Sequence, residues 1–200
     1  LVIFQNLLGL EVHDLNFDVV VHLATLLSVI TVFRKVLINL TKGAILWPIR
    51  RTHAREMKVI LLVIAATIPT AAIGFAFKDF FESLFHRPEA VGVSLCITGV
   101  ALYLTRRLPF SRGEVFGKAF GQNISNLSRT SFLMAFLIGI AQAAAIAPGI
   151  SRSGSTIVAA LFGGMSREAA GIFSFLLAIP AILGAGLLTM LDADWAQLDM

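Results

Sequence analysis

The sequence has few charged residues and a single cysteine. Asp, Glu, Lys and Arg together make up 14% of the 200 residues, against about a quarter in an average soluble domain. So little polar surface excludes a soluble globular domain, a disordered segment and a DNA-binding domain, although the sequence pI is about 9.7. The one cysteine, Cys96, excludes an intrachain disulfide. The sequence has no His/Cys cluster with metal-ligand spacing and no Walker A pattern.

Apolar residues dominate the chain instead. They make up 57% of it, the mean hydropathy is +0.85, and five apolar stretches have the length of helices, namely residues 17–33, 59–77, 90–105, 132–164 with a polar break, and 169–191. No domain-sized polar linker separates them. We therefore predict an all-α polytopic membrane helix bundle, a single integral membrane domain over residues 1–200. Because the chain begins without Met and ends just after an apolar run, we expect an internal fragment of a longer protein.

The basic residues between these stretches predict the orientation, because cytoplasmic loops carry an excess of Lys and Arg. Residues 34–58 hold seven and residues 106–131 hold five, whereas residues 78–89 hold two, offset by three acidic residues. We therefore expect the first two segments in the cytoplasm and residues 78–89 outside. The tail after residue 191 has three Asp and no Lys or Arg, which favours an external position.

An external tail requires residues 132–164 to enter and leave the membrane on the same side. We therefore predict a re-entrant helical hairpin over residues 132–164. Residues 132–150 enter from the cytoplasm, the chain turns, and residues 155–164 return. The last stretch, residues 169–191, then crosses outward.

The turn of this hairpin combines helix breakers, four hydroxyl groups and one arginine, in the run Pro148-Gly149-Ile150-Ser151-Arg152-Ser153-Gly154-Ser155-Thr156. An arginine at membrane depth costs about 2.5–3.5 kcal/mol on insertion scales. Such a cost favours an anion site, in which backbone N–H groups and hydroxyls at a helix start bind a phosphate and Arg152 adds a bidentate fork. The other interpretation is a surface loop with a snorkelling arginine.

Two further polar side chains remain open to two interpretations each. His22 shares one helix face with Asp18 and Thr25, which indicates either a polar seam against a neighbouring helix or a role in catalysis. Gln142 precedes the turn by six residues and either lines the same cavity or bridges two helices.

The turn resembles the motif of the bacterial undecaprenyl-diphosphate phosphatase family, membrane enzymes linked to bacitracin resistance. Supporting matches cover the chain in the same order, namely Phe17-Asp18-Val19-Val20-Val21-His22-Leu23, Ser166-Arg167-Glu168-Ala169-Ala170 and Phe173-Ser174-Phe175-Leu176-Leu177-Ala178-Ile179-Pro180. The resemblance implies a fold of two inverted repeats, each with a re-entrant hairpin.

The same resemblance implies hydrolysis of undecaprenyl diphosphate to undecaprenyl phosphate and phosphate, which recycles the lipid carrier for peptidoglycan synthesis. It implies catalytic roles for Arg152 and Ser151, and phosphate-binding roles for the following groups, Ser153, Gly154, Ser155 and Thr156. The implied partner is a prenyl diphosphate lipid rather than a nucleic acid, and the implied location is the bacterial plasma (inner) membrane, crossed several times. A divalent cation, Mg²⁺ or Ca²⁺, is implied by the resemblance only.

The chain departs from the family pattern before Phe17, where it has no glutamate-rich helix followed by a Ser-Ser-x-Gly-His turn. Because that segment supplies the family's acid/base and nucleophilic groups, we expect residues 1–200 alone to bind a diphosphate without cleaving it. The alternative function is a secondary transporter or flippase for a lipid-linked or small anion, since transporters also bind anions at broken helices. Release of phosphate from a prenyl diphosphate distinguishes the two functions.

Overall fold

The computed structural model describes residues 15–50, 53–85, 87–106 and 120–192, and every regular element in these ranges is an α-helix. The predicted all-α class is therefore confirmed. In chain order the helices are α1 (Leu15–Arg50), α2 (Ala54–Ala76), α3 (Lys78–Phe85), α4 (Pro88–Thr105), α5 (Phe120–Ser128), α6 (Phe132–Ala144), α7 (Arg152–Phe162) and α8 (Arg167–Asp192).

Several helices have the length and composition of membrane spans. Within the described ranges, three segments qualify by themselves, Ala24–Trp47 of α1, Ala54–Ala76 and Arg167–Leu187 of α8, and α3 with α4 adds a fourth if that bent pair is one span. The protein is thus a polytopic membrane helix bundle. With 13 and 11 residues, α6 and α7 are shorter than the roughly 20 residues that a crossing needs. This length is compatible with the arms of a re-entrant hairpin, whose path in the membrane stays a prediction.

The first helix is longer than the apolar stretch that predicts it. α1 has 36 residues, which correspond to about 54 Å, whereas the hydrocarbon core of a bilayer is about 30 Å thick. Its buried side chains form one stripe that continues past the basic pair at 34–35, and they are Leu26, Val29, Phe33, Val36 and Leu40. The spacing of three and four residues keeps this stripe against α2 and α8. Part of the basic segment 34–58 is therefore helix and not loop.

The segment between α4 and α6 also contains a helix. The sequence predicts a basic cytoplasmic segment there, and α5 occupies its last part, with Ile124 and Leu127 buried against the core. Residues 107–119 of this segment lie outside the described ranges.

The hydrophobic core contains buried residues of α1, α2, α5, α6, α7 and α8. Ile138 of α6 and Phe173 of α8 are fully buried, and α6 lies close to α2 at Gly139. A Cβ atom at Gly139 would overlap the carbonyl oxygen of Ala66 and lie 2.7 Å from Cγ of Pro69. Small residues allow such contact between membrane helices. This packing fixes the end of α6, and with it the start of the turn that follows.

Candidate functional site

The turn between α6 and α7 carries the polar motif of the sequence. α6 ends at Ala144, and residues 145–151 connect it to Arg152, the first residue of α7. Ser151 is the N-cap, and its hydroxyl oxygen accepts a hydrogen bond from the N–H of Gly154 at 3.1 Å. A cap of this kind satisfies one of the first N–H groups of a helix, which have no intrahelical partner. The motif therefore begins a helix, as an anion site of the predicted kind requires. The helix starts at Arg152 and not at residue 155 as predicted, and the preceding arm ends at Ala144 and not at residue 150.

One glycine lets the turn rest directly on α4. Gly149 has φ 91°, a left-handed conformation that side chains other than glycine rarely adopt. A Cβ atom there would lie 2.5 Å from the carbonyl oxygen of Val91 and 2.9 Å from Cβ of Ser94. Both the backbone conformation and the contact with α4 thus require glycine at this position.

Thr98 of α4, which the sequence analysis does not identify, also binds the turn through a hydrogen bond. The N–H of Ser151 donates a hydrogen bond to the hydroxyl oxygen of Thr98 on α4, at 3.2 Å. Thr98 lies seven residues after Val91 and four after Ser94, so the three share one face of α4. The sequence signal of this contact is a pair of hydroxyl residues four apart in the middle of a mostly apolar helix.

Arg152 supplies the positive charge at the head of α7, that is, at the N-terminal residues 151–153. Its guanidinium Nη1 donates to the carbonyl oxygen of Ala178 on α8 at 3.4 Å, and the side chain is half-buried. It forms no ion pair with any carboxylate of the described ranges. The charge that the sequence predicts at this position is therefore present and is balanced by no described acidic group.

Two backbone donors lie beside this charge. The N–H groups of Arg152 and Ser153 have no hydrogen-bond partner among the residues that the structure describes. They are at the positive end of the α7 dipole, where anions are stabilised. Two N–H groups without a described partner, a helix N-terminus and a guanidinium are groups that favour binding of an anion, and the phosphate site at this position stays a prediction.

The predicted phosphate-binding hydroxyls divide into two sets. Ser151 and the exposed Ser153 lie at the head of α7 with their hydroxyl oxygens 3.5 Å apart. Ser155 instead donates to the carbonyl oxygen of Ser151 at 2.9 Å, and Gly154 is buried with its N–H bonded to the cap. The structure thus brings Ser151 and Ser153 together with Arg152 at the open end of the helix.

Thr156 lies deeper, between α7 and α8. Thr156 is 1% exposed, and its hydroxyl oxygen is 2.6 Å from that of Ser174, which is also buried. The Thr156 hydroxyl also donates within α7, towards the carbonyl oxygens of Arg152 and Ser153 at 3.0 and 3.2 Å. These contacts join α7 to α8 and leave the hydroxyl away from the open end of the helix.

Gln142 bridges two helices. Its side chain is 2% exposed, and Nε2 donates to the hydroxyl oxygen of Thr70 on α2 at 3.3 Å. Thr70 directs its own proton to the carbonyl oxygens of Gly139 and Ala66, at 2.8 and 3.0 Å, so the amide must present N–H to it. Gln142 Oε1 is buried and has no partner among the described residues. Gln142 therefore bridges α6 and α2, and its place in the lining of a cavity stays a prediction.

The side chains of His22 and Asp18 lie outside the described part of the chain, although α1 includes both positions. The two interpretations of His22 therefore both stay predictions.

The divalent cation implied by the resemblance does not fit the residues at the turn. Mg²⁺ and Ca²⁺ prefer carboxylate and carbonyl oxygens, whereas the groups at the head of α7 are hydroxyls, N–H donors and a guanidinium. No three His, Cys, Asp or Glu side chains in the described ranges are grouped so as to hold a metal ion. A cation at this protein stays a prediction.

Comparisons with known proteins agree with the resemblance. A family model described as bacitracin resistance protein BacA matches residues 1–199. The chain is 43% identical over 190 residues to the undecaprenyl-diphosphatase of Carboxydothermus hydrogenoformans, a match that covers 95% of this chain and 64% of that protein. It is 41% identical over 194 residues to undecaprenyl-diphosphatase 2 of Bacillus thuringiensis, covering 96% and 67%.

A third relative is the undecaprenyl-diphosphatase of Methanosphaera stadtmanae, 39% identical over 203 residues, with 96% of this chain and 69% of that protein covered. The chain thus spans about two thirds of the length of the curated relatives it matches. Since the family model matches nearly every residue, the chain belongs to the bacitracin resistance protein BacA family.

Proposed function

We propose that the protein hydrolyses undecaprenyl diphosphate to undecaprenyl phosphate and phosphate in the bacterial plasma membrane, and so recycles the lipid carrier for peptidoglycan synthesis. The observation that carries the proposal is the head of α7, where Arg152 without a described acidic partner lies beside two free backbone N–H groups. The relatives named undecaprenyl-diphosphatase support the choice of substrate.

Each group at the head of α7 has a role in binding the diphosphate. The guanidinium of Arg152 binds two phosphate oxygens through its planar fork, and its bond to Ala178 holds the side chain towards α8. The N–H groups of Arg152 and Ser153 donate to the same phosphate or its neighbour. Ser151 accepts from Gly154, so its own hydroxyl proton is available to a phosphate oxygen.

These groups favour phosphoryl transfer by position and charge. Charge develops on the phosphoryl oxygens during transfer, and donors that are already oriented stabilise it without reorganisation. Ser151 and Arg152 act on the oxygens of the substrate in this scheme, and Ser153 extends the donor set at the exposed end.

The surrounding helices suit an amphiphilic substrate. The exposed face of α4 is apolar over most of its length, for example at Val93, Ile97 and Val100. Transfer of a prenyl chain from water to such a surface, or to the lipid, lowers the free energy. The diphosphate end, by contrast, finds its donors at the head of α7.

The proposal is tested with the product of the complete gene, purified into lipid vesicles and supplied with undecaprenyl diphosphate. We expect release of inorganic phosphate, and a loss of at least about a hundredfold in kcat/KM for Arg152→Gln, which removes the charge and the fork. Arg129→Gln is the matched control, because Arg129 is exposed between α5 and α6. Movement of intact lipid diphosphate across the vesicle membrane with no phosphate release would overturn the proposal in favour of a flippase.

A further inference from the structure

α4 touches the turn at three positions of one helix face. Val91 and Ser94 contact Gly149, and Thr98 accepts the hydrogen bond from the N–H of Ser151. α4 therefore supports both the middle of the turn and its last residue.

Thr98 makes a second contact with the head of α7. Its methyl carbon Cγ2 would lie 3.3 Å from a Cβ atom at Gly154, whose N–H is bonded to the Ser151 hydroxyl. One side chain thus fixes the N–H of the N-cap by a hydrogen bond and limits the approach of the first helical turn by packing.

The hydrogen bond to Thr98 determines which donors remain for an anion. With the N–H of Ser151 bonded to α4, the backbone donors at the head of the helix that have no partner among the described residues are those of Arg152 and Ser153. The bond also fixes the Ser151 peptide and thereby the direction of the hydroxyl that caps α7. Without an acceptor at position 98, the Ser151 N–H has no partner on α4 and the peptide is free to rotate.

We propose that Thr98 is a positioning residue of the phosphate site, which acts through Ser151 without touching the substrate. The proposal rests on the proposed function, since it assumes that the head of α7 binds the diphosphate. It assigns to α4, an apolar helix by composition, the task of holding the catalytic turn in its binding conformation.

The test compares three variants of threonine on the same helix. Thr98→Val keeps the shape of the side chain and removes the acceptor, and Thr98→Ser keeps the acceptor. Thr105→Val is the matched control, because the hydroxyl of the half-buried Thr105 donates only within α4, to the carbonyl oxygen of Leu102 in an exposed hydrogen bond. Thermal unfolding of all three variants beside the parent protein shows that each is folded.

Two readouts separate positioning from a structural role. We expect Thr98→Val to lower kcat/KM for undecaprenyl diphosphate by about tenfold or more, the loss expected for one misplaced hydrogen bond, with Thr98→Ser within about threefold of the parent. We also expect faster amide exchange at Ser151 in Thr98→Val, and parental values of both quantities in Thr105→Val.

Parental kcat/KM in a folded Thr98→Val protein would overturn the inference while leaving the proposed function intact. A different failure concerns the proposed function alone, namely a parent protein that releases no phosphate. In that case the affinity for inorganic pyrophosphate takes the place of kcat/KM. A tenfold weaker affinity in Thr98→Val supports the positioning role, and an unchanged affinity overturns it.

Discussion

Thr156 and Ser174 form a pair of buried hydroxyls whose oxygens are 2.6 Å apart. The Thr156 proton is directed to carbonyl oxygens of α7, so Ser174 is the donor in the pair. The sequence motif groups Thr156 with the phosphate-binding residues, whereas the contacts of Thr156 connect α7 to α8. The two roles predict different effects of a substitution at Thr156, a loss of stability for a contact between helices and a loss of phosphate binding for a ligand.

We predict that Thr156→Val lowers the free energy of unfolding by about 1–3 kcal/mol, because it leaves the buried Ser174 hydroxyl without an acceptor. Adding Ser174→Ala removes that unpaired group, so the double variant is more stable than the sum of the single losses predicts. Unfolding of the parent, both single variants and the double variant measures this coupling. Additive losses, together with a loss of pyrophosphate binding in Thr156→Val, would instead make Thr156 a phosphate ligand.

Among the elements, the turn between α6 and α7 is held by contact with α4 at Gly149. A second glycine, Gly164, also has positive φ, 82°, but a Cβ atom there meets nothing within 4 Å. The two positions therefore separate the cost of backbone strain from the cost of overlap with a neighbouring helix.

We predict that Gly164→Ala lowers the free energy of unfolding by about 1–2 kcal/mol through strain alone. Gly149→Ala is expected to cost clearly more, since its methyl group also meets the carbonyl oxygen of Val91 at 2.5 Å, and to weaken pyrophosphate binding. Unfolding and binding measured side by side check both statements. Equal losses of stability in the two variants would show that the turn does not rest on α4.

The start of α7, the length of α1 and the contact made by α4 differ in how well the sequence predicts them. A helix start close to the turn was predictable, because the apolar run resumes after a breaker-rich segment. Its position was not, since the sequence places the start at residue 155 and the helix begins at Arg152 with Ser151 as the cap. The continuation of α1 past Arg34 was not, since the charges interrupt the apolar run while the buried stripe continues beneath them at Val36 and Leu40. Thr98 was not predictable either, because an apolar span does not reveal which of its hydroxyls faces a neighbour.

For the whole molecule, the basic segments predict the orientation in the membrane. If the junction at His53 is cytoplasmic, α2 leads outward to α3, and α4 returns to Arg106. This path places the exposed Ser83 outside and the exposed Asn126 in the cytoplasm.

We predict that Ser83→Cys reacts with a membrane-impermeant maleimide in intact cells, whereas Asn126→Cys reacts only after the membrane is opened. The native Cys96 is exposed on an apolar face of α4, and contact with lipid keeps it unreactive towards the aqueous reagent. The reverse labelling pattern would contradict the orientation.

Binding of a diphosphate by the parent protein and Arg152→Lys tests the central claim most directly. Lysine retains the positive charge but not the planar fork that binds two phosphate oxygens. The claim predicts that Arg152→Lys weakens the affinity for inorganic pyrophosphate by at least about tenfold, while Arg129→Lys, an exchange at an exposed arginine, leaves it unchanged. Parental affinity in Arg152→Lys would contradict a phosphate site at the head of α7.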